Sequence, residues 1–254
     1  MVSKLSIFFI SLSLAVELLL PIGLAIFFYR KQKISIKAVF VGVLVFSVSQ
    51  IVIRIPLLGY IQTTAWFTAL QSTSLLSVSL LLGLSAGLFE EIGRYLGFRL
   101  LLKDRLERKN GIAFGIGHGG MESMYFGLLS VNNLTYSILI NTGAISKLPI
   151  DQPTLKAIKD TFLNTSPALF GIAGLERIFA ITIQIAFSLI VLYAVMNRKT
   201  IYLVLAVLLH GVVDSPLLII QQYLGILWSE VFVALCAAAA LVFIVKSVRM
   251  SERC

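Results

Sequence analysis

Two adjacent glutamates, Glu90 and Glu91, followed by Arg94, lie inside an apolar run over residues 75–102 that holds no other charge before Arg99. At ~1.5 Å per helical residue, the glutamates stand about 18–20 Å inward of Lys103, near the middle of a bilayer. An ionised carboxylate at that depth is costly unless it faces protein, water or a counter-charge. Glu90 and Arg94 are four residues apart, as are His118 and Glu122, and His210 and Asp214. Residues four apart share one helical face. Counted inward from Lys103, Asn110 and Thr200, all six lie at about 12–21 Å by the same ~1.5 Å rise. Both histidines and four of the twelve acids therefore share one slab with Arg94.

Adjacent carboxylates in a low-dielectric site cannot both ionise cheaply. One is then prepared to take a proton from water as a general base, while the other is neutral or bound to Arg94. One histidine can share that water or protonate a leaving amine, and the other can donate to a developing oxyanion. Water, base and oxyanion donor make a hydrolase constellation, and inside a membrane the natural scissile bond is a peptide. No serine or cysteine in the slab has comparable support: Cys236 stands alone and Ser123 is an ordinary helical serine. Glu122 is expected to orient His118 from the next turn. Glu176 and Arg177, near the outer end of their span, are expected to form a local ion pair, and Glu17 to be buried against an arginine or histidine. Zinc is the alternative chemistry: His118, His210 and Glu90 or Glu91 would supply three ligands and leave the fourth place to water. The chain has no His-Glu-x-x-His and each histidine sits on its own helix, so a metal-free glutamate mechanism, with no cofactor, is favoured.

The rest of the chain must hold this slab in place. Of its 254 residues 58% are apolar and 13% charged, and its mean hydropathy is +0.96. That composition belongs to a polytopic membrane protein, read here as a single integral membrane domain over 1–254. The net charge of +9 is not a nucleic-acid signal, because fourteen of the 21 lysines and arginines fall in clusters at 30–37, 99–109, 198–199 and 246–253. Clusters at span ends read as cytoplasmic flanks, with some attraction to anionic lipid. Cys236 and Cys254 indicate neither a disulfide framework nor a thiolate metal site. Residues 1–30 are too long in their apolar part for a cleaved signal peptide and are expected to form the first span.

The hydropathy pattern predicts an all-α bundle with spans near 5–29, 38–58, 74–102, 111–131, 169–196, 201–221 and 226–245. Residues 59–73 form a weakly amphipathic connection carrying Tyr60 and Trp66 as interfacial anchors. An eighth apolar piece, 132–146, is an extension, re-entrant or interfacial segment, giving seven to eight membrane helices. If every basic cluster is cytoplasmic, the N-terminus lies outside and the C-terminus inside, with an odd number of crossings. Glycines beside the slab, among them Gly93, Gly97, Gly117, Gly119 and Gly211, would let backbones approach closely enough for these side chains to meet.

Three sequence patterns carry a resemblance: Phe89-Glu90-Glu91-x-x-Arg94-Tyr95, Gly117-His118-Gly119-x-x-Glu122 preceded by Phe114, and His210-x-x-x-Asp214. With the Glu176-Arg177 pair, they resemble the YhfC family of membrane peptidases, related to the CPBP or Ras-converting-enzyme-like glutamic intramembrane proteases. The resemblance covers about residues 10–245. It implies an intramembrane endopeptidase in a bacterial plasma membrane, acting on a membrane-embedded peptide or a lipid-anchored protein. Carried onto this chain, it makes Glu90 the water-activating base, Glu91 its support and His118 the neighbour of the water. His210 and Asp214 take the oxyanion side, with Arg94, Glu122, Glu176 and Arg177 supporting. Two positions depart from the wider pattern. Arg94 comes one residue early, with Tyr95 in the usual place, which turns the side chain by about 100°. Asp214 stands where an asparagine is common, so it donates to an oxyanion only when protonated. Buried Glu, His and Arg also build proton relays, but a proton-coupled transporter predicts inverted repeats, which the sequence lacks. A non-catalytic membrane binding protein, an immunity or scaffold factor, is the remaining alternative.

Overall fold

In the computed structural model, the chain is described over residues 1–251, with side chains through 247. Cys254 and Arg253, and the side chain of Arg249 in the last basic cluster, lie outside the described residues. The elements are helical throughout: α1 (Lys4–Gln32), α2 (Ile36–Phe46), α3 (Ile55–Gln62), α4 (Ala65–Thr73), α5 (Leu75–Leu96), α6 (Arg108–Thr142), α7 (Gln152–Asn164), α8 (Pro167–Met196), α9 (Ile201–Leu224) and α10 (Ile226–Ser251). A π-helical stretch, Ser47–Arg54, joins α2 to α3, and a second, Gly97–Leu101, extends α5. Helices alone satisfy every backbone N–H and C=O within the segment, which a bilayer demands.

Six helical stretches are long and apolar enough to cross a membrane: Lys4–Gln32, Ile36–Gln62, Leu75–Leu101, Pro167–Met196, Ile201–Leu224 and Ile226–Ser247. The chain is thus an all-α, polytopic transmembrane bundle. Span four of the sequence reading lies in α6, whose polar and glycine-rich first half lowers its apolarity. Most of the short piece 132–146 proves to be the continuation of that helix, which runs to Thr142 and stops at Gly143, in the left-handed region at φ 75°. Glycine takes that backbone conformation without a Cβ clash.

The chain packs as two compact units. The first comprises Met1–Leu20 and Ser123–Ile178; Val2, Ile10 and Phe162 form its apolar cluster. The second comprises Pro21–Glu122 and the chain from Phe179 onward; Ile183, Phe187, Val233 and Ala237 cluster within it.

In the second unit α5 is amphipathic in the inverse sense of a soluble helix. Leu76, Leu80, Leu84, Leu88, Ile92 and Leu96, every fourth residue, are exposed. Gly83, Gly87, Glu90, Glu91 and Arg94 on the other face are buried. Against that face α9 packs closely, since a Cβ on Gly87 would lie 2.6 Å from the Val207 carbonyl oxygen. On α6, a Cβ on Gly117 would collide with the Val39 carbonyl of α2. Lipid tails are as apolar as leucine, so such close packing, rather than burial of apolar surface, holds membrane helices together. His210 and His118 adjoin these contacts in the packing of α9 and α6.

Candidate active site

Glu91 and Arg94 are both fully buried on α5. The guanidinium holds Glu91 through both carboxylate oxygens, Nε to Oε2 at 3.0 Å and Nη2 to Oε1 at 3.3 Å. Its remaining N–H groups donate to α8: Nη1 to the Gln184 carbonyl and the Ser188 hydroxyl, and Nη2 to Gln184 Oε1. All five guanidinium N–H groups are used. The early position of Arg94 thus has a structural meaning, a bidentate clamp on Glu91, while Glu90 Oε2 is 3.7 Å away. A buried charge is tolerated when paired and hydrogen-bonded in this way.

Glu90, 5% exposed, gathers groups from three other helical segments. Its Oε1 accepts from Gln50 Nε2 at 2.5 Å, and its Oε2 accepts from Gln184 Nε2 at 3.0 Å. His118 Nε2 is 3.0 Å from the same Oε2. Gln50 is in turn held by Arg54, whose Nη1 donates to its Oε1 at 3.0 Å. The Arg54 Nε and Nη2 donate to Ser85 and to the Leu82 carbonyl on α5. Gln50 and Arg54 both lie on the π-helical stretch; widened turns of this kind occur most often at functional sites.

The two histidines are held differently. The His118 ring lies between Phe46, edge-on at 5.3 Å, and Phe114, stacked at 6.1 Å. Its Nδ1 is buried and has no hydrogen-bond partner among the described residues. His210 stacks flat on Phe187, with centroids 4.7 Å apart, and its Nδ1 is 2.8 Å from Glu91 Oε1. A ring that donates from Nδ1 to a carboxylate turns its Nε2 to the site. That Nε2 lies 3.9 Å from Glu90 Oε2 and 3.4 Å from Asp214 Oδ2. The first separation exceeds a direct hydrogen bond and is one that a bridging water spans.

The sequence candidates therefore distribute as follows. Glu90, Glu91, Arg94, His118 and His210 form one connected network in the second unit, with the partly exposed Asp214 against His210. Glu122 does not orient His118 as expected: its Oε2 accepts from Gln184 Nε2 at 2.9 Å, and the His118 Nδ1 stays unpartnered among the described residues. The amide of Gln184 reaches both carboxylates and intercepts Glu122. Glu176 and Arg177 belong to the first unit, where they pair with each other and the Arg177 guanidinium lies 4.2 Å over the Phe126 ring. Glu17 is buried in the same unit, hydrogen-bonded to Ser130 and in the field of Arg177.

Sequence reasoning missed Gln50, Arg54, Gln184 and Ser188. Gln50 and Arg54 carry the same four-residue spacing that marked the other three pairs, so that signal was present. Gln184 offered only its polarity amid an apolar span.

A metal site fits this chemistry. One donor atom each from Glu90, Glu91 and His210 lies within 4.8 Å of the others. The set is carboxylate and imidazole, the donors zinc takes in catalytic sites. The His210–Glu91 contact has the form by which carboxylates orient metal-bound histidines. The set differs from the one expected from sequence: both glutamates join His210, while His118 stands outside it, its Nε2 3.0 Å from Glu90 Oε2.

A family model described as "YhfC intramembrane metalloprotease" matches residues 16–237. The "Uncharacterized membrane protein YhfC" of Bacillus subtilis (strain 168) is 36% identical over 260 residues, covering 99% of this chain and 100% of that protein. No solved structure matches.

Proposed function

The chain belongs to the YhfC family of intramembrane metalloproteases, and on that premise we propose that it hydrolyses a peptide bond in a membrane-embedded or lipid-anchored substrate. The observation that carries the reading is a buried Glu90/Glu91/His210 cluster with His118 on Glu90, consistent with glutamate- and histidine-activated proteolysis inside a membrane.

In this reading Glu90 is the base. Its Oε2 takes a proton from a water lying toward His210 Nε2, and the water oxygen attacks the scissile carbonyl. His118, beside the same oxygen, passes the proton to the leaving amine. His210 donates from Nε2 to the oxyanion when its ring carries both protons, and Asp214 positions that nitrogen. Glu91 and Arg94 fix the His210 ring from behind. Gln50 and Gln184 hold the Glu90 carboxylate in one rotamer, so little reorganisation is left for the reaction. Glu122 supports Gln184. Glu176 and Arg177 act as a structural pair. Glu90, Glu91 and His210 would hold a zinc ion, which would supply Lewis-acid chemistry at this site.

We further propose that α6 is a seventh crossing, since 35 residues at ~1.5 Å each exceed a hydrocarbon core of about 30 Å. Residues 132–142 then extend it beyond the membrane face. We read the basic clusters as cytoplasmic flanks of a single membrane domain, with the N-terminus outside and the C-terminus in the cytoplasm of a bacterial cell.

The test reconstitutes the full chain with candidate transmembrane peptides and follows product mass. The wild type cleaves, while Glu90→Gln and His118→Ala each lower the rate by about 10²–10⁴-fold and remain folded. Cleavage by Glu90→Gln at the wild-type rate sinks the assignment of the base. Proton-coupled flux with no product from the wild type sinks the peptidase reading.

A further inference from the structure

Away from the polar network, a cavity of about 370 Å³ lies between the start of α6, the end of α8, α9 and α10. Its walls are apolar, built from residues such as Leu192, Leu205, Leu209 and Phe243, and no acid lines it among the described residues. One end carries Arg108, Asn197, Tyr202 and Ser247. These mark the first turn of α6, the α8–α9 turn and the last described side chain of α10, so the cavity runs inward from one face of the membrane. Tyr193 and Tyr202 pack edge-to-face there at 4.8 Å, as tyrosines do at headgroup level.

Arg108 is fixed in this rim. Its Nε donates to the Ser247 hydroxyl at 2.9 Å and its Nη2 to the Ile244 carbonyl at 2.7 Å. Its Nη1 makes no hydrogen bond among the described residues. Lys109, Arg198, Lys199 and Lys246 are sequence neighbours of the rim residues, as is Glu107, which pairs with Lys109 at 2.8 Å, so described residues of three of the four basic clusters border the opening. An apolar void of this size is in the range of built ligand sites. Water gains no partners on such walls, and an empty void forfeits contacts on every side. Inside a bilayer the filler at hand is hydrocarbon. A pre-oriented guanidinium at the end of a hydrocarbon slot, in a rim with more cations than acids, matches a phosphodiester with an acyl chain beneath it.

We propose that this cavity is a site for an anionic phospholipid, with one acyl chain between α8, α9 and α10 and its phosphate on Arg108. The site is separate from the proposed peptidase chemistry and does not depend on it.

The experiment uses the full chain in vesicles of mixed phosphatidylglycerol and phosphatidylcholine, extraction into mild detergent, and native mass spectrometry to count retained lipids. The wild type retains phosphatidylglycerol in preference to phosphatidylcholine. Arg108→Gln lowers that preference about fivefold, the effect of roughly one cation at the membrane surface. Leu205→Trp, which fills the slot without touching the rim, abolishes retention of either lipid, and intact folding is checked by circular dichroism. Equal retention of the two lipids by the wild type overturns the proposal, as does an unchanged preference in Arg108→Gln. If Arg108→Gln fails to fold, Leu205→Trp decides alone, and retention like the wild type overturns the proposal.

Discussion

Arg94 has no water to fall back on. Every one of its N–H groups is committed to protein oxygen, two of them to the Glu91 carboxylate. Arg94→Leu therefore leaves a buried carboxylate pair without its counter-charge, at a cost of about 3–5 kcal/mol. Removing the stranded charge as well, in Arg94→Leu/Glu91→Leu, recovers part of that loss, because two apolar groups of matched size replace a buried ion pair at little cost. Reversible unfolding in mixed micelles measures both variants. A single variant as stable as the wild type means that Arg94 is not holding Glu91. The departure of Arg94 from the wider spacing is explained by the same contact, since one residue earlier on the helix the guanidinium meets Glu91 three residues back and α8 behind.

At the level of elements, glycine decides which helices touch. Gly117 on α6 lies against the Val39 carbonyl of α2, with no room for a Cβ. Gly117→Ala should cost at least about 1–3 kcal/mol, the usual penalty of overpacking. Gly23→Ala on α1 meets nothing within 4 Å and should be neutral, or stabilising by up to about 1 kcal/mol through helix propensity. Equal unfolding midpoints for the two variants would remove the close approach as the reason for Gly117. Outside the membrane spans, α7 depends on its cap. Asp151 accepts from the Thr154 backbone N–H and hydroxyl at 2.9 and 2.8 Å, and these bonds hold its carboxyl below the ordinary range. A depressed carboxyl stabilises the fold above its unfolded pKa of about 3.9. That support is lost as pH falls through the folded value. Amide exchange in the first turn of α7 should be faster in Asp151→Ala than in the wild type near neutral pH. The two should converge as the pH falls below that of the folded carboxyl, and a difference that persists in acid contradicts the cap.

The whole molecule carries its charge asymmetrically, and that asymmetry makes topology measurable. Single cysteines introduced in a cysteine-free background at Lys33, Asp104 and Arg198 should be labelled by a membrane-impermeant maleimide only from the cytoplasmic side. A cysteine at Ser146, beyond the end of α6, should be labelled only from outside. Labelling of Ser146 and Arg198 positions from the same side would mean that α8 does not separate them across the membrane. It would leave the crossing of α6 to be judged from Asp104 against Ser146.

Much of this protein was legible along the chain because its strongest signals are local. Polar residues four apart in apolar runs put Glu90 with Arg94, His118 with Glu122 and His210 with Asp214 on single helical faces, and the basic clusters put those faces at one depth. The family was equally legible, since its motifs are short stretches read in order. Partner choice was not. That Glu122 serves Gln184 rather than His118, that Arg94 clamps Glu91, and that Gln50 and Arg54 reach Glu90 from a π-helical stretch depend on how α2, α5, α6, α8 and α9 rotate against one another. Those rotations are set by non-local glycine contacts such as Gly117 with Val39 and Gly87 with Val207. A helix fixes the direction of its own side chains every 3.6 residues, whereas the face it meets belongs to another part of the chain.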